Sequence, residues 1–479
     1  MTRRWTAHEL LDLVLDPGTF ESWDEPIDLS TYEPGYRAEL EAAAAKAGTD
    51  ESVLTGRGLV RSRPVCVLAN EFGFLAGSIG RAAADRITAA VHRATQERLP
   101  VLASTASGGT RMQEGTPAFV KMVEISRALM AHRLAGLPYL VHLRHPTTGG
   151  VYASWGSLGH VTVAEPGALI GFLGPKVYEA LQGRPFRPGV QVAENLAAKG
   201  VIDGVVAAEE LPTLVDLALG VLVDPPEPGR LPRRTDTREV GDTSAWESIE
   251  ATRLPGRAGV RELLHYGATG TLQLRGTDEG ERDSTVMVAL TRLDGQPCVV
   301  VGQDRSRQTP GHALGPGALR EARRGMRLAQ ELGLPLVAVI DTPGAELSPR
   351  AEERAIAGEI ARCLARFSAL TVPTVSVILG QGCGGAALAL LPAQVVIATE
   401  NAWLSPLPPE GASVIVHGDL DHAPEMAARQ RVRAADLLAD GTVQQVVPEV
   451  AGESAENLAL AVAAEVSAQL RRLTGGGLA

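Results

Sequence analysis

Apolar and polar positions follow two alternating rhythms along most of the chain. A short apolar run, Pro64–Ala69, precedes a stretch from Gly80 to Gln96 in which small and apolar residues recur at helical spacing. The step Leu99-Pro100 then opens the strand VLAS, and a Gly-containing loop follows at Ser107–Gly109. A second helical stretch ends at Leu137-Pro138, ahead of the strand YLVHL and the loop Pro146–Gly150, which opens a further helix. The strand VTVA and the turn Glu165-Pro166-Gly167 close this half. The same order recurs downstream. CVVVGQD precedes a helix predicted over Gly317–Leu332, and Leu334-Pro335 opens the strand LVAVIDT, which runs into a Pro343-Gly344 loop. Val372-Pro373 then opens TVSVIL, followed by the glycine loop Gly380–Ala386, a helix, the strand VVIAT and a turn after Glu400.

Four of these junctions lie 235 positions from their counterparts: Leu99 and Leu334, Leu137 and Val372, Glu165 and Glu400, Gly150 and Gly385. A domain-sized period points to a duplicated unit and not to a solenoid of short repeats. Strands alternating with helices imply right-handed crossovers and mostly parallel sheets. Residues 1–55 read as an N-terminal extension of short helices and loops, with an Ala-rich helix around Glu39–Ala47. Residues 56–224 form the first lobe and 260–479 the second. The Pro-, Gly- and charge-rich stretch 225–259 between them reads as a linker.

At 479 residues the chain exceeds what one core usually organises. Apolar residues make up 45% and charged ones 21%, a globular balance, whereas aromatics are only 4% and glycines number 52. Such a core places small residues where backbones must approach. Acidic residues outnumber basic ones 56 to 45, for a net charge of −11, which argues against general nucleic-acid binding. Cys66, Cys298, Cys363 and Cys383 form no CxxC pair, which excludes a zinc ribbon on spacing and makes a disulfide framework improbable. No apolar stretch is long enough for a signal peptide or a membrane span. The expectation is a soluble cytoplasmic protein.

The candidate chemistry sits at two glycine loops that open helices, Thr147–Val151 and Gly382–Ala387. A helix N-terminus leaves several N–H groups without partners and favours negative charge. Glycine lets a substrate oxygen approach them, so a pair of such donors can act as an oxyanion hole. The alternative is that these glycines only relieve crowding between helix and sheet, and the repetition in both halves weighs against it. No GxxxxGK[ST], GxSxG or HExxH motif and no clustered His/Asp pattern is present. Cys383 has no His beside it in the sequence and reads as a small thiol filling a turn. The absence of an acid–base residue at either loop suits chemistry in which a cofactor supplies the base. Arg305, Arg307, Arg320, Arg323 and Arg324 could meet phosphates, though a solvated helix face explains the last three equally well.

At this point the chain resembles the carboxyltransferase subunits of bacterial acetyl-CoA carboxylase. EFGFLAGSIGRAAADRI, the run TASGGTRMQEG from Thr105, HPTTGGVYASW and AEPGALIGFLGP are similar to the β subunit. VIDTPGAELSPRAEERAIAGEIAR, VSVILGQGCGGAALAL and LPPEGAS are similar to the α subunit. The likeness covers about residues 55–450, in the order β then α. It implies two tandem crotonase-like (ClpP/crotonase) α/β domains of ββα superhelix type, with an acyl-CoA site in the N-terminal lobe and a carboxybiotin site in the C-terminal lobe.

By the same resemblance Gly149 and Gly150 fall on the pair that holds the thioester carbonyl, and Gly385 and Ala386 on the pair that holds the biotin ureido oxygen. Ser107, Gly108, Gly109 and Arg111 fall on the acyl-CoA side; Gly344, Gly384, Pro409, Glu410 and Gly411 fall on the biotin side. The implied activity is carboxyl transfer from carboxybiotin to acetyl-CoA, giving malonyl-CoA for fatty-acid or polyketide synthesis. In that scheme carboxybiotin releases CO2 locally, the biotin anion removes the α-proton of the acyl-CoA, and the enolate attacks CO2. Another acyl-CoA such as propionyl-CoA, a biotin-dependent decarboxylase, and a non-catalytic scaffold in a carboxylase complex are the alternatives. With no AMKM-type biotinyl-lysine motif (Val120-Lys121-Met122 does not qualify) and no ATP module, a biotin carboxyl carrier protein and a biotin carboxylase are the expected partners. Neither nucleic acid, membrane nor metal is expected, and a homodimer or larger homo-oligomer is implied. Three departures stand out: residues 1–55 hold no cysteine for the β subunit's zinc ribbon, Ala386 replaces the second glycine of the α-subunit loop, and Thr110 replaces the common alanine of the SGGAR loop.

Overall fold

The computed structural model describes residues 3–234 and 243–475. They form two compact units, the first running to Leu219 and the second from Gly220 onward, with Asp278–Gly280 grouped with the first. Each unit is built on one eight-stranded sheet, and the two sheets share a plan, as expected for tandem crotonase-like α/β domains.

In the first unit the strands are β1 (Glu21–Ser22), β2 (Val53–Val60), β3 (Arg63–Asn70), β4 (Val101–Ser107), β5 (Tyr139–Thr148), β6 (Val161–Ala164), β7 (Ile170–Gly171) and β8 (Gly204–Val205). They lie in the order β1-β2-β3-β4-β5-β6-β8, with β7 on β5. The β1, β2 and β3 pairings are antiparallel, and every pairing from β3 to β8 is parallel. The second unit holds β9 (Ala268–Leu274), β10 (Val286–Leu293), β11 (Gln296–Gln303), β12 (Leu336–Thr342), β13 (Thr374–Cys383), β14 (Val395–Thr399), β15 (Trp403–Ser405) and β16 (Gln445–Val447). Their order is β16-β14-β13-β12-β11-β10-β9, with β15 on β13.

The repeat extends to register. β4 and β5 pair regularly up to Thr105–Leu143, shift, and meet again at Ser107–Thr147. β12 and β13 shift at the same place and meet again at Thr342–Gly382, each residue 235 positions on. This displacement turns the ends of the two central strands toward the glycine loops.

The central strands are buried because helices cover them. Arg81–Gln96 buries Ala83, Ala84, Ile87, Ala90, Val91 and Ala94, a stripe at helical spacing on the core face. Its counterpart Pro316–Leu332 is anchored by proline at its first turn and approaches β11 closely. A Cβ on Gly325 would stand 2.3 Å from Val301 Cγ2, so only glycine allows that spacing. No helix of the described residues is long and apolar enough to cross a membrane.

Two stretches carry more structure than their composition suggests. Within 225–259, residues 235–242 lie outside the described residues, but Ala245–Arg253 is a helix. Ser244 and Glu247 cap it reciprocally, Ile249 is buried, and the Trp403 indole donates to Thr252 Oγ1 at 3.0 Å. In the N-terminal extension the Ala-rich helix starts at Pro34 and runs to Ala47, and a second helix, Ala7–Val14, is closed by a Thr6–Glu9 capping box.

Candidate active site

Both glycine loops stand at the carboxyl ends of parallel strands, where open α/β sheets present ligands. In the first unit the loop after β4 meets the loop after β5. Gly109 has φ +109° and Gly149 has φ +62°, and a Cβ on either would lie 3.2 Å from the other's Cα. In the second unit Gly344 (φ +138°) follows β12 and Gly384 (φ +65°) follows β13. The four positions form two pairs 235 residues apart, and L side chains strain against all four conformations.

The one-turn helices Gly149–Tyr152 and Gly384–Leu388 begin at these glycines. Gly149, expected as one of two donors, has its N–H committed to the Phe172 carbonyl at 3.0 Å. It therefore acts as a hinge that sets the helix direction. The next two amides, Gly150 and Val151, head the helix where no preceding helical turn supplies acceptors. They correspond by the 235-residue offset to Gly385 and Ala386. By that offset Val151, not Gly149, is the counterpart of Ala386. Beside Gly150 stand Thr110 and Met122, whose Oγ1 and Cγ lie 2.7 and 3.6 Å from where a Cβ would be. Beside Gly385 the neighbour is Ile360, with Cδ1 at 2.8 Å from the same position.

Ser107, Gly108 and Gly109 form a tightly bonded frame. The buried Ser107 hydroxyl donates to Gly77 O and accepts from Gly109 N–H at 3.0 Å, while Gly108 N–H reaches Ala76 O at 2.9 Å. Arg111, expected on the acyl-CoA side, is not offered to a ligand. It is 1% exposed, pairs with Glu51 at 2.7 Å and with Glu114 at 3.4 Å, donates to Ser78 O at 2.7 Å, and lies over the Phe74 ring. Its guanidinium is taken up by protein partners, so in this structure it fixes the loop.

Among the residues expected on the biotin side, Gly384 follows β13, whose end pairs with β15, the strand that leads to Pro409–Gly411. A Cβ on Gly384 would face Pro406 O at 3.4 Å, and the helix Pro409–His417 begins three residues beyond Pro406. Pro409 is its first residue, and Gly411 leaves open space, with only Pro408 Cδ within 4 Å of its missing Cβ. Glu410 pairs with Arg253 at 2.6 Å. Burial pushes its carboxyl up, but the Arg253 bond outweighs this and holds it below the usual range. Gly344 donates its N–H to Thr342 Oγ1 at 3.2 Å. A Cβ on Gly344 would meet only Cys383 Sγ, at 3.8 Å, so its face toward the Gly385-Ala386 helix head is uncrowded.

Cys383 packs among Ala245, Ile249 and Trp403, and burial pushes its thiol up to about 12. A thiol held protonated is no nucleophile, and C383A is expected to keep kcat within about threefold of wild type in a carboxyl-transfer assay. The arginines are mostly spoken for. Arg320 pairs with Glu281 and Glu359, Arg323 with Glu359, and Arg305 with Asp341, while Arg324 is buried and donates to the Arg275 and Gly276 carbonyls. Arg307 is exposed.

Asp341, at the end of β12, is fully buried and accepts from Gln381 N–H at 3.0 Å. Burial pushes its carboxyl up to about 6 despite Arg305. The folded state then binds more protons than the unfolded one between about pH 4 and 6, so stability falls as pH rises through that window. Urea denaturation of wild type against D341N should show wild type losing ground from pH 4 to 6, by at most about 1.4 kcal/mol per pH unit, and a constant difference above it.

Residues 3–464 match the carboxyl transferase domain family. A probable biotin-dependent acyl-coenzyme A carboxylase beta3 subunit of Mycobacterium tuberculosis is 57% identical over 477 residues, covering 98% of this chain and 95% of that protein. Acetyl-coenzyme A carboxylase carboxyl transferase subunits beta/alpha of Saccharopolyspora erythraea are 36% identical over 488 residues, covering 98% and 85%. Among solved structures, transcarboxylase 12S with hydrolysed methylmalonyl-coenzyme A superimposes with a TM-score of 0.77 at 20% identity, covering 98% of this chain and 90% of that one. With the duplicated sheet, the paired glycine loops and near-complete coverage at 57% identity, the chain belongs to the carboxyl transferase domain family.

Proposed function

We propose that the protein is the carboxyltransferase component of a biotin-dependent acyl-CoA carboxylase, moving a carboxyl group from carboxybiotin on a separate carrier protein to acetyl-CoA to yield malonyl-CoA. The observation that carries this reading is the repeated helix head, Gly150-Val151 in one lobe and Gly385-Ala386 in the other, with no activated nucleophile or general base built beside either among the described residues. Carboxybiotin would bring both the carboxyl group and, at its ring nitrogen, the base for the α-proton. The chain's own task is to hold two oxygens.

In the first lobe the Gly150 and Val151 amides are aimed where a thioester oxygen gathers charge as the α-proton leaves. Their dipoles are fixed by the hinge at Gly149, so they need no reorganisation when that charge appears. In the second lobe Gly385 and Ala386 receive the ureido oxygen. Alanine at 386 supplies an N–H as glycine would, with a slightly tighter pocket. A biotin carboxyl carrier protein, a biotin carboxylase, a homodimeric or larger assembly and a cytoplasmic setting belong to the same proposal.

The acyl group is the open part, since the 57% identical relative carries the general name acyl-coenzyme A carboxylase. Side-by-side assays with acetyl-CoA and propionyl-CoA, in the presence of carrier and carboxylase, test it. A higher kcat/KM for acetyl-CoA supports the proposal, and dominant propionyl-CoA turnover moves the assignment to the longer acyl group. If the chain co-elutes with both partners yet forms no product from either, it is a scaffold.

A further inference from the structure

Gln303, the last residue of β11, is 1% exposed and uses both ends of its amide. Its Nε2 donates to the Ala386 carbonyl at 2.7 Å, and its Oε1 accepts from the Asp341 N–H at 3.0 Å. The first bond fills a gap in the helix Gly384–Leu388. Ala389 N–H turns to Gly385 O and Leu390 N–H to Ala387 O, so the short helix sends neither of these donors to Ala386 O. The second bond reaches the strand end that carries Thr342 and the Gly344 loop. There Gln308 continues the frame, donating to Asp341 O at 3.1 Å and accepting from the Thr342 hydroxyl at 2.7 Å. One buried side chain thus links the helix head at Ala386 with the loop facing it.

The first lobe lacks this link. Asn70 ends β3 as Gln303 ends β11, but its amide donates to Ser52 O and Gly77 O and makes no bond to the helix Gly149–Tyr152. The device is particular to the second lobe.

We infer that Gln303 is a positioning residue for the Gly385-Ala386 hole: by holding the Ala386 carbonyl, which belongs to the peptide unit next to the one that carries the Ala386 N–H, it fixes the short helix whose first amides form the hole; this rests on the carboxyltransferase reading above. Gln303→Leu removes both bonds at similar volume. Gln303→Glu keeps the acceptor for Asp341 N–H but, when ionised, faces the Ala386 carbonyl with a lone pair in place of a proton. The test is transfer from malonyl-CoA to free biotin by the full chain, together with amide exchange at Gly384–Leu388. For Q303L we expect kcat to fall about tenfold or more with KM for malonyl-CoA unchanged, and exchange at 384–388 to accelerate. For Q303E the ratio of its activity to wild type should climb as pH falls and the donor is restored. The ratio is used because Asp304, Asp341 and Arg305 lie nearby in both proteins. A role in packing alone moves neither the KM–kcat split nor that ratio. Wild-type transfer with unchanged kcat in Q303L, or unchanged exchange, overturns the inference. An inert wild type overturns the functional reading instead, and the exchange measurement alone then decides the clamp.

Discussion

Gly150→Pro is expected to lower transfer from malonyl-CoA to free biotin by about a hundredfold to a thousandfold, or roughly 3–4 kcal/mol of transition-state stabilisation. Proline has no N–H, so one of the two donors proposed for the first lobe is lost outright. Its ring also brings a Cβ into a position 2.7 Å from Thr110 Oγ1, so loss of activity alone does not single out the amide. Gly150→Ala makes the distinction, because it adds the same Cβ and keeps the N–H. In the wild-type background it too should lose activity, through the contact with Thr110. Combined with Thr110→Ala, which deletes Oγ1, the alanine variant should recover and the proline variant should not. If G150P/T110A recovered as well, the Gly150 amide would have no part in the reaction.

This design needs Thr110, whose place the sequence marked only as a departure from alanine. The loop motif shows which residue type stands there but not that a register shift between β4 and β5 folds the loop onto the next glycine. Other features divide along the same physical line. The parallel core strands, the long helices and the duplication were legible because each is a local apolar pattern repeated at one offset. The antiparallel hairpins were read less well. Asp294-Gly295, with φ +42° and +82°, is a recognisable two-residue hairpin signal between β10 and β11. Its counterpart Arg61-Ser62 adopts φ +46° and +69° with residues that give no such signal, so β2 (Val53–Val60) was not read as a strand and the boundary of the extension at residue 55 cuts through it. The helix Ala245–Arg253 was masked by its proline- and charge-rich surroundings, although Ser244-x-x-Glu247 is a capping-box pattern. At the site, glycine identity and the 235-residue offset that pairs Val151 with Ala386 were legible, but the bond from Gly149 N–H to the Phe172 carbonyl, 23 residues away, was not.

Arg111→Ala is expected to cost about 3–5 kcal/mol of folding stability, far more than an arginine poised for a ligand would. Arg111 and Glu51 are each 1% exposed and stand 2.7 Å apart, with Glu114, 2% exposed at its side chain, also in reach. Removing the cation leaves the buried Glu51 carboxylate with the Ser52 N–H at 2.9 Å and no cation, whereas Glu114 keeps Arg81 and the Tyr36 hydroxyl. Arg111→Lys should recover only part of the loss, because one ammonium cannot reproduce the planar fork that serves Glu51, Ser52 Oγ and Ser78 O together. Denaturant titration of the full chain measures both variants. Glu51→Gln in the R111A background supplies the sign check: with no charge left stranded at position 51, the double variant should regain stability over R111A. A CoA-binding arginine would give the opposite profile, with unfolding midpoints unchanged and KM for the acyl-CoA raised. The loop Ser107–Gly109 hangs from this ion pair through Ile79, which accepts from Arg111 N–H and donates to Gly109 O, each within 3.0 Å. Stability lost at Arg111 should therefore appear as disorder at Gly109, the residue that packs on Gly149 at the head of the first glycine-loop helix.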